Sequence, residues 1–223
     1  MIADSWQEAK QIIGDTQITL GPQASDQWLN APDHLAMVLS RYRAAAALIG
    51  NAQTVLEVGC GEGIGARILA KGRQYYFGID TDAEAVHIAE DMHGDFFRNF
   101  EVMDVTQASN LPLESYGASV SLDVIEHIPA AEEDAFLTAA VYALRTHGVL
   151  VIGTPNAAFE HLASPQSRAG HINLYTHERL HALMMRYFHT VQSFGMQDTA
   201  LHLGHPDARH YLLIAGIGPR EAA

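Results

Sequence analysis

The sequence predicts an α/β fold: a doubly wound, mostly parallel seven-stranded sheet ending in an antiparallel C-terminal strand pair, in a single domain with an N-terminal helical arm. Three observations lead there. Short apolar runs of strand length alternate with segments whose apolar residues recur at helical spacing. No hairpin signal separates the first five runs, so each has to cross over to a parallel neighbour. The last two runs, HTVQSFGMQ and ARHYLLIAGIG, lie too close together for a helical crossover, and antiparallel pairing follows.

Residues 1–34 carry Gly21-Pro22 and Ala31-Pro32 among polar residues, which reads as a short helix and then a loop-rich arm or lid ahead of a domain over 35–223. From His34 to Ile49, the residues Leu35, Val38, Leu39, Tyr42, Ala46 and Ile49 share helical spacing, and Asn51 stops the run. TVLEV is the first strand and IGARILAKG its helix; YYFGID and AEAVHIAEDM are the second pair. FEVMDV is the third strand, ASVSLDV the fourth with EEDAFLTAAVYALR as its helix, and HGVLVIGTP the fifth. ERLHALMMRYF is the last helix, with Thr176 as its N-cap.

Composition narrows the setting. The 223 residues, 48% of them hydrophobic, suffice for one sizeable core. A formal net charge of -13 repels phosphate backbones and no Lys/Arg stripe offsets it, so nucleic acid is not an expected partner. The single cysteine, Cys60, excludes an intrachain disulfide, and MIADSWQEAK lacks the basic and apolar regions of a secretory signal, so a cytoplasmic setting is expected. No apolar run reaches the roughly 20 residues of a membrane span.

Ligands of such sheets bind at the carboxyl ends of the strands, and VLEVGCGEGIGARILA lies at the first of these turns. Gly59, Gly61 and Gly63 remove side chains so that a ligand can lie against the backbone beside a helix N-terminus. A dinucleotide and S-adenosylmethionine both suit such a turn. The dinucleotide pattern fits poorly, because starting it at Gly59 puts Ile64 at the third glycine position. Glu57, an anion before the glycines, suits a cationic amine better than a pyrophosphate.

LEVGCGEG resembles the first motif of the class I S-adenosylmethionine-dependent methyltransferases, and later motifs follow in the family's order: FGID, MDVTQ, SLDVIEHIP and LRTHGVLVIGTPN, with Thr146-His147-Gly148 in place of the usual Lys-Pro-Gly-Gly turn. The resemblance implies that Glu57, Gly59, Cys60, Gly61 and Gly63 form the floor under the methionine and ribose, with Cys60 a small filler. It also implies that Asp80 takes both ribose hydroxyls with Thr81 or Asp82 on the same edge, that Asp104 accepts from the adenine amino group, and that Val105 packs on the base. HLAMVLSRYRAAAALI resembles a helix found before the first strand in one subset of the family, from which Arg41 or Tyr42 would reach the methionine carboxylate. The resemblance also implies that Asp123, after the fourth strand, borders the cofactor at its methyl end.

The acceptor side leaves alternatives open. His127 acts as a general base oriented by Asp123 or Glu126, or Asp123, Glu126 and His127 hold a divalent cation, as in the ubiquinone-biosynthesis O-methyltransferases that this segment resembles, or Glu126-His127 only caps the following helix. SPQSRAGHINLYTHERLHAL resembles the segment before the last helix in methyltransferases of sugars and small metabolites, which makes His171 the second catalytic candidate. Tyr175, His161, His202 and His205 are further candidates for an acceptor pocket. The expected reaction is methyl transfer from S-adenosylmethionine to a hydroxyl, in second place an amine, of a small-molecule acceptor, a metabolite or sugar, with S-adenosylhomocysteine as product. An NAD-dependent oxidoreductase, a cofactor-binding scaffold and a methyltransferase acting on a macromolecule are the alternatives.

Overall fold

Two prolines that read as breakers start helices instead. The computed structural model describes residues 2–15, 17–70, 75–95, 98–107, 111–204 and 206–220. Its first three elements are α1 (Ile2–Ile13), α2 (Pro22–Asn30) and α3 (Pro32–Leu48). Pro22 and Pro32 stand at the first helical positions, where the missing N–H would be unpaired anyway and the fixed φ is already helical. The arm is therefore mainly helical, not loop-rich, and the expected boundary after residue 34 falls inside the first turn of α3.

From there strands and helices alternate as β1 (Thr54–Val58), α4 (Ala66–Ala70), β2 (Tyr75–Asp80), α5 (Ala83–His93), β3 (Arg98–Val102), β4 (Tyr116–Leu122), α6 (Glu133–Tyr142) and β5 (Leu144–Pro155). The chain continues through α7 (Pro165–Gly170), α8 (His177–Tyr187), β6 (Phe188–Met196), β7 (Leu201–Leu203) and β8 (Tyr211–Pro219). The sheet has eight strands in the order β3-β2-β1-β4-β5-β8-β6-β7. The first five run parallel, β8 is antiparallel to β5, and β6 is antiparallel to β8, as expected from the short connection. The extra strand is the three-residue β7, which pairs with the end of β6 and is too short to leave an alternating pattern. Thr146-His147-Gly148 lies within the start of β5, where the register with β4 shifts.

Side chains of β1 alternate between the two faces. Leu56 and Val58 pack with Phe136, Leu180 and Met184 from α6 and α8, whereas Val55 packs with Ala45, Leu69 and Tyr42 from α3 and α4. Both layers are buried, and the strand order reverses between β1 and β4, which opens a crevice at their carboxyl ends. No helix among the described residues is long and apolar enough to cross a membrane.

Candidate active site

A cleft of about 630 Å³ occupies that crevice, and its floor is the turn after β1. Gly59 and Gly61 hold φ values of +81° and +49°, the left-handed region that glycine adopts without strain. A Cβ on Gly59 would come within 2.1 Å of Val124, while one on Gly61 meets nothing within 4 Å, so the backbone there is open to a ligand. Gly63 does not border the cleft; a Cβ there would press on His93, Ala89 and Phe100, so its task is packing against α5 and β3. Cys60 borders the cleft but is 2% exposed, and burial, followed by the charges of Glu57 and Asp80, pushes its thiol far up. It is a filler, not a thiolate.

Glu57 departs from the sequence expectation. Its side chain is fully buried behind the turn and is not among the cleft residues. The Tyr76 hydroxyl donates to its carboxylate. Burial raises its pKa to about 7, against the pull of hydrogen bonds from Tyr76 and Tyr42 and with a push from the Asp80 charge. Glu57 thus buttresses the turn from the α3 side.

Asp80, at the end of β2, accepts from the Gly61 N–H at 2.8 Å and from the Asp82 N–H at 3.0 Å. Each oxygen keeps further acceptor capacity, and the carboxylate borders the cleft beside Thr81, the arrangement a ribose diol requires. Asp82 instead caps α5, accepting from Glu84 and Ala85 at 3.0 and 3.2 Å. Asp104 borders the cleft as well and accepts from the Thr106 N–H and hydroxyl and from the Gln107 amide, at 2.9, 2.7 and 3.0 Å. These bonds hold the short turn Val105–Gln107 and set Val105 against the cleft.

Across the crevice, Asp123 follows β4 with φ +58°, uncommon outside glycine. Arg41 Nη1 donates to both of its carboxylate oxygens, at 3.0 and 2.9 Å, and the guanidinium lies 3.9 Å over the Tyr211 ring. Arg41 borders the cleft, but with its charge paired to Asp123 it clamps α3 to the turn after β4. The arm contributes Gln23, Ala24, Gln27 and His34 to the wall. Glu62, in the glycine turn, accepts from the N–H groups of Gln23 and Ala24 at 2.9 and 3.2 Å and so caps α2, whose own cap Gly21 has no side chain to do it.

The acceptor candidates meet at the turn Ile125–His127. The Glu126 carbonyl accepts from the Ile172 and Asn173 N–H groups at 2.9 and 3.0 Å, which draws the segment after β5 across and sets the His171 ring 5.1 Å from the His127 ring. Gly170 O can only accept, so His127 Nδ1 carries the proton in their 2.8 Å bond and, in the neutral ring, Nε2 carries the lone pair. Burial first, and then the positive charge of His127, lowers the pKa of His171. Glu126 is fully buried; its Oε2 accepts from the Thr154 hydroxyl at 2.9 Å and its Oε1 has no hydrogen-bond partner among the described residues. Burial, followed by the Asp123 charge, raises its pKa to about 8. One donor atom each from Glu126, His127 and His171 lies within 4.8 Å of the others. The expected cation set of Asp123, Glu126 and His127 is thereby corrected: Asp123 is taken by Arg41, and His171 stands in its place.

A smaller cavity of about 200 Å³ adjoins the cleft and shares Pro155, Ser167 and His171 with it. Tyr175 is not part of either; it is fully buried, and its hydroxyl donates to Glu133 at 2.8 Å. His161 lies against Phe159, His202 stands 3.8 Å from Asp198, and His205 is outside the described residues.

A family profile described as "Methyltransferase domain" matches residues 31–188. The chain belongs to that family. Its curated relatives are described as probable S-adenosylmethionine-dependent methyltransferases. "Probable S-adenosylmethionine-dependent methyltransferase Rv3030" of Mycobacterium tuberculosis is 35% identical over 108 residues, 48% of this chain and 37% of that protein. A protein of Mycolicibacterium smegmatis with the same description is 28% identical over 162 residues, 70% of this chain and 59% of that one. The methyltransferase domain thus spans between about a third and three fifths of these relatives' length. Among solved structures, the methyltransferase domain of bacterial CtHen1-C superposes with a TM-score of 0.66 at 16% identity, covering 82% of this chain and 99% of that one, a likeness of fold.

The methyltransferase domain's own residues fit the donor. The cleft has the size of a cofactor pocket, roughly 300–1,000 Å³. The open side of Gly61 and the remaining lone pairs of Asp80 face the space a nucleoside would take. Sequence reasoning missed the arm residues, Glu62 and Tyr211; Gly21-Pro22, read as a helix start, would have signalled the first two.

Proposed function

We propose that this chain moves a methyl group from S-adenosylmethionine to a hydroxyl oxygen of a small molecule, leaving S-adenosylhomocysteine. His171, standing where the cofactor cleft meets the smaller cavity, is the observation that carries this reading. The donor supplies a methyl group already activated on a sulfonium sulfur. The chain is left with placement and proton uptake. His171, whose pKa is lowered by burial and then by His127, offers a ring nitrogen to a hydroxyl entering from the smaller cavity. As the acceptor oxygen takes the methyl carbon, the hydroxyl proton passes to His171. His127, fixed through Gly170, holds its ring edge against that base. Helices α2 and α3 act as the lid, latched by Glu62 and Arg41.

Incubation with S-adenosylmethionine and a panel of hydroxyl and amine acceptors, with S-adenosylhomocysteine measured, tests the proposal. Turnover on hydroxyls supports it. Donor binding without product from any acceptor points to a cofactor-binding scaffold instead.

The unpartnered Oε1 of buried Glu126 favours a second reading, in which Glu126, His127 and His171 hold a divalent cation. One carboxylate and two imidazoles suit a first-row transition ion, which when bound would polarise the acceptor hydroxyl. Activity lost on chelation and restored by added cation selects this reading; activity indifferent to chelators selects His171 as base.

A further inference from the structure

We infer that the acceptor is a flat, largely apolar ring bearing the hydroxyl, an aryl alcohol and not a sugar, seated in the smaller cavity beside His171. The inference rests on the methyl-transfer reading above. Size comes first. An apolar cavity of about 150 Å³ holds benzene, so about 200 Å³ takes one ring with small substituents. Because Pro155, Ser167 and His171 belong to both spaces, a ring seated there presents its hydroxyl at the edge where His171 stands.

Wall chemistry decides between ring types. The Phe159 and His210 rings lie 4.5 Å apart at 59°, and the His161 ring lies 6.3 Å from Phe159 at 26°. These neighbours fix an aromatic wall, which Leu162, Ala163 and Leu174 continue with aliphatic surface. Leu162 is 60% exposed, an apolar side chain left for something to cover.

Three polar side chains at the cavity, Asn156, Arg168 and Ser167, are engaged elsewhere. Asn156 Oδ1 accepts from the Ala158 N–H at 3.0 Å, and Asn156 Nδ2 donates to the Arg209 carbonyl at 2.9 Å and to those of Pro206 and Asp207 at 3.4 Å. Arg168 donates from Nε to the Ala163 carbonyl at 3.1 Å and from Nη2 to the His161 carbonyl at 3.3 Å. The Ser167 hydroxyl is bonded to that of Ser164 at 3.0 Å. A sugar would leave water with several hydroxyls at once, and each one left unpaired weakens binding. A ring asks only for surface. The Glu160 carboxylate at the same wall further disfavours anionic substituents.

Ligand-observed NMR on the full chain saturated with S-adenosylhomocysteine tests this, with p-cresol and methyl β-glucoside as probes. p-Cresol is expected to bind and the glucoside not. Phe159→Ala should weaken p-cresol about tenfold, given the value of a buried aromatic contact, while affinity for S-adenosylhomocysteine stays unchanged. Leu162→Glu, at an exposed position, should weaken it likewise. Preference for the glucoside, or p-cresol binding indifferent to both substitutions, overturns the inference and leaves methyl transfer standing. Binding that depends on Phe159 and Leu162, with no S-adenosylhomocysteine released when S-adenosylmethionine is supplied with p-cresol or the rest of the acceptor panel, supports the pocket and overturns the methyl-transfer reading.

Discussion

The two halves of the cleft are built in different ways. The donor half comes from residues within three positions of the ends of β1, β2 and β3: Gly59, Gly61, Asp80, Thr81, Asp104 and Val105. Sheet register places them. Val58 pairs with Ile79, the Gly59 N–H donates to the Ile79 carbonyl at 2.8 Å, and Asp80 then meets the Gly61 N–H. The acceptor half is assembled from the turn after β4, the segment between β5 and α8, and His210, joined by the two bonds to the Glu126 carbonyl and the one from His127 to Gly170. On the proposed reading the sheet would hold the donor and a loop tied at a few points would shape the acceptor site, so substitutions should separate the two functions.

The sharpest separation is His171→Ala. Loss of a positioned base typically costs about 10²–10⁴ in rate, so kcat measured by S-adenosylhomocysteine release should fall by that order. Next comes the buttress of the donor half. Glu57 is pushed from 4.5 to about 7 by burial, so the folded chain binds its proton more tightly than the unfolded one. That stability is fully present below about 4.5 and is lost as pH rises through about 7, by about 3 kcal/mol at most. In thermal melts of the donor-free chain, Glu57→Gln should therefore remove part of the loss of stability between pH 5 and pH 8, leaving the part that Glu126, raised to about 8, contributes with the same sign. Gly61→Ala puts a methyl group into open cleft at a left-handed φ, and donor affinity by calorimetry should drop roughly tenfold, the cost of mild overpacking. Smallest is Thr176→Ala, which removes the cap of α8 and should cost about 1 kcal/mol in a denaturant melt, with donor affinity untouched.

The same contrast explains what could be read in advance. Apolar runs and helical spacing reveal strands and crossovers, so the parallel core, the glycine turn and the antiparallel close of the sheet were legible, while Asp80 and Asp104 stood out only through the family resemblance of the segments that carry them. Pro22 and Pro32 misled because a proline ends one helix and begins another with the same letter. The place of Glu57 behind the turn depends on Tyr42 and Tyr76, which approach from α3 and β2. His171 replaces Asp123 beside Glu126 through main-chain bonds from Ile172 and Asn173 to the Glu126 carbonyl, which leave no trace in side-chain spacing. Phe159 and His210 come from distant segments and meet only in the fold.

Calorimetric titration of S-adenosylhomocysteine into wild type, Asp80→Ala and His171→Ala tests the division most directly. Asp80→Ala should bind about 10²–10⁴-fold more weakly, since two hydrogen bonds to a charged group are lost at about 1.5–3 kcal/mol each, while His171→Ala should match wild type. Undiminished affinity in Asp80→Ala, or a comparable loss in His171→Ala, would contradict the account.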